Sequence, residues 1–257
     1  MATFPCNWWR ERPLIFAHRG ASRVAPENTL AAFRQAVEIG ADGIELDVQL
    51  SADGVPVVIH DTTVDRTTDG SGWVRDLTLA QLQELDAGGH AGAAFAGERI
   101  PTLEEVLAEV GDRLLIDIEL KYPTLETVSL EGQIIEVIRR LGMQQRVWLS
   151  SFKPYALHTA RRWAPAMPCG LIYGPLSPGS WLLGPITPHE ALHPHASLVS
   201  ERMMQRARKR GLRVITWTVD DPAQARQLAT RGVDAIITNT PGALLDINRH
   251  GGSSLGG

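Results

Sequence analysis

Short apolar runs alternate with amphipathic stretches along almost the whole chain, and this alternation narrows the possible folds more than any other feature. Leu14–His18, Gly43–Asp47, Leu114–Lys121, Val147–Ser151, Gly170–Tyr173, Ser197–Val199, Arg213–Val219 and Ala235–Thr238 read as strands. Asn28 or Thr29 can cap a helix to about Ile39, and Thr102-Leu103-Glu104-Glu105 has the form of a capping box opening a helix to about Val110. Further helical stretches cover roughly Leu125–Leu141, Pro154–Trp163, Glu201–Arg210, Pro222–Arg231 and Pro241–His250. Between Tyr173 and about His195 the chain is irregular and rich in Pro and Gly, so His193 and His195 read as loop residues. Strands alternating with helices imply a parallel sheet with right-handed crossovers. Eight such units favour a closed TIM (β/α)8 barrel, and 257 residues suit a fold that typically takes ~250. An open doubly wound sheet is the runner-up, but no Gly-x-Gly-x-x-Gly follows the first strand.

One stretch departs from the alternation. Gly43 to Asp61 reads as a hairpin about Asp53-Gly54, a dipeptide suited to a two-residue type I′ turn. With that turn Asp47 lies opposite His60. Glu45 and Asp47, two residues apart, share one strand face. The Val55–His60 arm is then an antiparallel extension of the second strand, although another partition makes Val57–His60 a barrel strand. After it comes a loop-rich insertion at about Thr62–Ile100, and the barrel domain occupies about 1–250 with a Gly/Ser-rich flexible tail at 251–257.

Composition narrows the function classes. Lys and Arg number 25 and Asp and Glu 29, a net charge of −4, which gives no bulk attraction for nucleic acid. Cys6 and Cys169 are too few and too far apart for a disulfide framework. The N-terminus lacks the basic and apolar regions of a signal peptide, and no stretch approaches ~18 apolar residues, so a cytoplasmic protein without stable membrane association is expected.

In a barrel, functional residues sit at the C-terminal ends of the strands. Those ends supply His18 and Arg19, Glu45 and Asp47, Glu119 and Lys121, Ser150, Ser151 and Phe152, Trp217, and Thr238 and Asn239, with His60 from the hairpin. Three acids in one mouth call for a cation, and oxygen-only ligands from Glu45, Asp47 and Glu119 suit Mg²⁺ or Ca²⁺. Arg19 and Lys121 then need an anion. Three carboxylates, one dication and these two bases leave a single positive charge, which a phosphodiester neutralises. His18 and His60 suit acid–base work, since an imidazole titrates near pH ~6.5. Phe152 and Trp217 read as pocket walls, and Ser150-Ser151 lacks the context of a serine nucleophile.

The residues resemble a known family. His18-Arg19-Gly20, Pro26-Glu27-Asn28-Thr29, Glu45-Leu46-Asp47-Val48, His60-Asp61 and Arg66-Thr67-Thr68-Asp69-Gly70 are followed in order by Ile100-Pro101-Thr102-Leu103, Glu119-Leu120-Lys121, Trp217-Thr218-Val219 and Thr238-Asn239-Thr240-Pro241. This ordered set resembles the glycerophosphodiester phosphodiesterases and, more widely, the phospholipase-C-like barrel phosphodiesterases. The resemblance implies hydrolysis of glycerophosphodiesters to glycerol 3-phosphate and an alcohol. It also implies one divalent cation on Glu45, Asp47 and Glu119, His18 as base and His60 as acid or the reverse, and phosphate contacts from Arg19 and Lys121. Asn239 stands where many relatives have Asp, outside the expected ligand set, and no consequence is attached to it. Two other enzymes fit less well: a Mg²⁺-dependent barrel lyase or aldolase, which has no need of two histidines, and a lysophospholipase D admitting an acyl chain past Trp181-Leu182-Leu183. A non-catalytic phosphate-binding barrel leaves the acids and histidines without a purpose.

Overall fold

A computed structural model of the chain describes residues 2–122, 129–177 and 183–245. The strands are β1 (Leu14–His18), β2 (Gly43–Leu50), β3 (Pro56–Val58), β4 (Leu115–Leu120), β5 (Val147–Ser151), β6 (Cys169–Tyr173), β7 (Ala191–Pro194), β8 (Arg213–Thr216) and β9 (Ala235–Thr238). All but β3 are parallel neighbours, and β1 pairs with both β2 and β9, which closes an eight-stranded TIM barrel. β3 lies outside the ring, antiparallel to β2, so the hairpin arm is an extension and not a barrel strand.

The helices are α1 (Leu30–Ile39), α2 (Leu79–Glu84), α3 (Leu103–Val110), α4 (Leu130–Arg140), α5 (Pro154–Trp163), α6 (Glu201–Lys209), α7 (Pro222–Arg231) and α8 (Pro241–Leu245). Thr29 caps α1 through the Ala32 amide, and Thr102 with Glu105 completes the capping box of α3. The start of the expected 125–141 helix, the end of the one after Pro241, Trp181, Leu182 and the 251–257 tail lie outside the described residues. Among the described residues no helix is long and apolar enough to cross a membrane.

Strand residues that face outward, such as Ile44, Leu46, Ile116 and Ile118, pack with Phe33, Val106, Ile134 and Leu157 of the helices. Inside, Phe16 and Trp148 meet at 5.1 Å, and the N-terminal segment lays Trp8 and Phe4 against Trp148 at 5.4 and 5.5 Å. Each such buried aromatic contributes at least about 2 kcal/mol of transfer free energy. Together they plug the N-terminal end of the barrel, so the polar residues gather at the opposite end.

Two elements differ from the sequence expectation. The hairpin register pairs Val48 with Val58 and Leu50 with Pro56, so Asp47 faces Ile59 rather than His60. The cause is a three-residue loop, Ala52-Asp53-Gly54, closed by paired hydrogen bonds of Ser51 with Val55 and Gly54, with Gly54 at φ +79°. Asp53-Gly54 therefore ends a type I turn with glycine in the left-handed position, rather than forming a type I′ turn alone. The strand expected at Ser197–Val199 is instead Ala191–Pro194, and Ala196–Leu198 is a 3₁₀ turn. His193 is thus a buried barrel-strand residue, not a loop residue, and His195 follows the strand directly.

The segment from Asp61 to Ile100 carries α2 and its own small core. Val64, Val74, Leu82 and Ala87 pack with Val57 and Ile59 of the hairpin, which docks the segment on the residues that lead into His60.

Candidate active site

Each candidate is placed by the end of its strand. His18, Arg19, Glu45, His60, Glu119, Lys121, Phe152 and Trp217 line one cavity of about 190 Å³ at the C-terminal mouth. Asp47 lies buried just beneath them. One oxygen each from Glu45, Asp47 and Glu119 lie within 4.8 Å of one another. All three side chains are buried, and they arrive from adjacent strands whose register sets Asp47 beside Glu119.

Burial works against charge on all three acids, and the cations decide which stays ionised. Asp47 is salt-bridged to Lys121 Nζ at 3.2 Å and Arg19 Nε at 3.3 Å, and accepts from Asn28 Nδ2 at 2.9 Å. Burial would push Asp47 up, but Lys121 and Arg19 outweigh it and hold the carboxylate below its usual range. Glu45 is pushed well up by burial and then by the neighbouring Asp47 and Glu119. Glu119 is pushed up by burial, which outweighs its 2.8 Å bridge to Lys121. Two of the three acids thus lack a full counter-charge. A hard dication on carboxylate oxygens would supply it, so the donor set fits Mg²⁺ or Ca²⁺.

The two imidazoles have different partners. Burial, followed by Arg19, lowers the His18 pKa, so its 3.8 Å approach to Glu45 is made by a neutral imidazole rather than as an ion pair. Its Nδ1 meets Asn239 Oδ1 at 2.7 Å. Asn239 Nδ2 donates to Asp220 at 2.7 Å, which fixes the amide with its oxygen toward the ring. His18 therefore carries its hydrogen on Nδ1, and Nε2 faces the mouth. Asn239 has a consequence after all, because it sets the His18 tautomer. His60 Nδ1 meets Asp61 Oδ1 at 2.6 Å, and Arg66 Nε meets Asp61 Oδ2 at 2.5 Å. Arg66 holds the Asp61 carboxyl down at about 2. Gln49, buried on the same face as Asp47, donates to the carbonyls of Ile59, His60 and Asp61 at 3.0, 3.2 and 2.7 Å and pins the turn that bears His60. That turn brings His60 to the acids despite the shifted register.

Arg19 and Asn28 hold left-handed φ values of +56° and +58°, which non-glycine residues rarely adopt, and hydrogen-bond to each other through Asn28 N and Arg19 O at 2.9 Å. This turn aims the guanidinium at Asp47 and Glu27. On the opposite side Trp217 stacks edge-on against Phe152 at 5.5 Å and His195 at 5.3 Å, and donates from Nε1 to the His193 carbonyl at 2.8 Å.

Sequence reasoning missed Asn28, Glu27, Asp61, Arg66 and Asn239 as partners, and the pair at the floor of the mouth. There Asp117 accepts from Ser150 Oγ at 2.7 Å and lies 3.4 Å from His193 Nδ1. Burial pushes Asp117 well up and His193 down to about 3, so this is a neutral pair. Asp117 had a signal, an acid in register with Glu119 on the inward face of a buried strand. His193 had none, because Pro188 before the run and Pro194 directly after His193 hid its strand.

The chain is similar in sequence and fold to known proteins. The chain matches the model of the Glycerophosphoryl diester phosphodiesterase family over residues 18–243. It is 43% identical over 244 residues to a glycerophosphodiester phosphodiesterase of Caldanaerobacter subterraneus subsp. tengcongensis, covering 94% of this chain and 100% of that one. An Oleispira antarctica phosphodiesterase, solved with the product sn-glycerol-3-phosphate, superposes with TM-score 0.84 at 31% identity over 93% of this chain and 97% of that chain. A glycerophosphodiester phosphodiesterase from Agrobacterium tumefaciens gives TM-score 0.80 at 34% identity over 90% and 98% of the two chains. With the family model spanning both the first and the last strand-end motif of the mouth, the chain belongs to the glycerophosphoryl diester phosphodiesterase family, enzymes of the phosphoric diester hydrolase class.

Proposed function

We propose that this chain hydrolyses glycerophosphodiesters to glycerol 3-phosphate and an alcohol by imidazole acid–base catalysis beside one divalent cation held by Glu45, Asp47 and Glu119. The observation that carries the reading is the pair of imidazoles with unlike partners on one mouth. The cation, when bound, supplies charge stabilisation at the phosphoryl oxygens. Arg19 and Lys121, now turned to Asp47 and Glu119, are placed to meet a phosphate monoanion at the same edge.

Neutral His18 has its Nε2 lone pair in the mouth and takes the proton of the glycerol 2-hydroxyl as that oxygen attacks phosphorus. The P–O bond to the alcohol breaks, and the leaving oxygen takes a proton from His60 Nε2. Asp61 stands behind the ring as a carboxylate at Nδ1, which leaves Nε2 for the leaving oxygen. Water then opens the cyclic phosphate with the roles reversed: His60 takes the proton of water and His18 returns its proton to the 2-oxygen. Both rings end as they began. Phe152 and Trp217 wall the space left for the alcohol group.

Turnover of glycerophosphocholine, followed by coupled detection of glycerol 3-phosphate, tests this. His18→Ala and His60→Ala should each cost at least about 10²-fold in kcat with melting temperature retained. Chelation should abolish activity and Mg²⁺ or Ca²⁺ restore it; full rate in either variant, or after chelation, ends the scheme. Faster cleavage of lysophosphatidylcholine than of glycerophosphocholine would move the assignment to a lysophospholipase D.

A further inference from the structure

The Arg66-Thr67-Thr68-Asp69-Gly70 stretch is not accounted for by cation ligation, phosphate contact or proton transfer. Its arginine nevertheless reaches the mouth through two carboxylates. Arg66 donates from Nε to Asp61 Oδ2 at 2.5 Å, and from its two terminal nitrogens to Glu27 Oε1 and Oε2 at 2.7 and 2.9 Å. Each acid has a second partner in the mouth. Asp61 Oδ1 meets His60 Nδ1 at 2.6 Å, and Glu27 Oε1 accepts from Arg19 at 2.9 Å. One guanidinium on the insertion is therefore a single carboxylate away from both a proton-transfer group and a phosphate contact, which sit on different elements.

We propose that Arg66 is a positioning residue that clamps Asp61 so that His60 presents Nε2–H to the leaving oxygen, and steadies Arg19 through Glu27. This rests on the reading of His60 as the acid. Asp61 bound to Arg66 stays a carboxylate and can only accept, so the hydrogen on His60 Nδ1 is spoken for and Nε2 alone is free for the substrate. The side chains of Asp61 and His60 are 30% and 31% exposed, so without the clamp water competes for the carboxylate and the ring is free to turn. Lysine is no substitute. The guanidinium spends its Nε edge on one acid and its terminal nitrogens on the other, and an ammonium has no such fork.

The competing account is an ordinary surface ion pair. Arg66 is half-exposed, and such pairs contribute little to stability. That account predicts no effect on chemistry. The docking core of Val64, Val74 and Leu82 does not include Arg66, so Arg66→Ala should fold.

The two accounts separate by leaving group. An alkoxide needs a proton as it departs, and 4-nitrophenolate does not. For Arg66→Ala, kcat on glycerophosphocholine should fall about 10- to 100-fold, the usual cost of losing a group that orients a reacting one, with KM little changed. On the 4-nitrophenyl ester of glycerol 3-phosphate the first-turnover release of 4-nitrophenolate, which precedes the ring opening that also uses His60, should slow by less than about threefold, whereas first-turnover release of choline should slow as kcat does. Arg66→Lys and Asp61→Asn should behave alike, and added guanidinium ion should restore part of the loss in Arg66→Ala. His60→Ala, run beside them, keeps the tests apart: if it retains turnover of glycerophosphocholine, the acid assignment itself fails. If His60→Ala is inactive on that substrate while Arg66→Ala keeps full kcat, or slows first-turnover release of choline and of 4-nitrophenolate equally, Arg66 does not act through His60 as the acid and the inference is overturned.

Discussion

The mouth of the barrel has two unlike sides. On the side built from β1, β2, β4 and the hairpin, three acids are buried together, and two of them, Asp47 and Glu119, are laced to Arg19 and Lys121 at 2.8–3.3 Å. On the side built from the ends of β5, β7 and β8, Phe152, His195 and Trp217 meet edge to face and no ion pair joins them. Charge on the first side is dense enough that moving one group redistributes the rest; the second side offers shape. In the scheme proposed above, the charged side stabilises the transition state and the aromatic side discriminates among alcohol groups. The largest effect should therefore come from Asp47, which binds Arg19, Lys121 and Asn28 at once. Asp47→Asn leaves two half-buried cations each with one partner fewer, so we predict a loss of about 1–3 kcal/mol in stability and of at least about 10³-fold in kcat. Thermal melts and steady-state rates measure both. An active, stable Asp47→Asn enzyme would erase the contrast between the sides.

A smaller effect is expected across the mouth. Trp217→Ala removes a ring whose edge-to-face contacts are each worth about 0.5–1.5 kcal/mol, and frees the His193 carbonyl. KM for a choline ester should rise about tenfold while kcat changes little, because nothing on this side carries a proton in the scheme. A fall in kcat with unchanged KM would place Trp217 in the chemistry. Trp217→Phe, which keeps a ring but not the donor, should sit between the two.

The charged side was also the legible one. Alternation of runs fixes eight parallel strands, and the rule that function sits at strand C-termini picks out His18, Glu45, Glu119 and Lys121, which line the mouth, and Asp47, buried just beneath it. What escaped has a physical reason in each case. The hairpin register turned on one residue of loop length, which a dipeptide such as Asp53-Gly54 does not specify, since the same pair serves two- and three-residue loops. Asp61, Arg66 and Glu27 matter through pairings between residues up to 39 apart in sequence, which no local pattern encodes. β7 is four residues long and ends at Pro194, so its strand character comes from neighbours β6 and β8 rather than from propensity. Gly170 on β6 shows the dependence: a Cβ there would overlap the His193 ring, so a glycine on one strand makes room for a histidine on the next.

That floor, where the two sides join, yields the smallest and most specific test. Asp117 and His193 face each other as a neutral acid and a neutral base, and their linkage to folding has opposite signs. His193 is held down at about 3, so between there and its unfolded value near ~6.5 the unfolded chain binds the extra proton and stability rises with pH. Asp117 is held up, so its contribution is full below the unfolded value near ~3.9 and is lost as pH rises toward its folded pKa. Above about pH 4 the two slopes oppose one another, until either the folded pKa of Asp117 or the unfolded value of His193 is passed. Asp117→Asn keeps the Ser150 partner and removes the titration. Its stability relative to the parent chain should therefore improve as pH rises toward the folded pKa of Asp117, by at most about 1.4 kcal/mol for each pH unit. Melting temperatures of both proteins in chelator from pH 5 to 8 provide the comparison. Parallel curves would mean that Asp117 is ionised in the folded chain, and that the aromatic side rests on a buried charge like its neighbour.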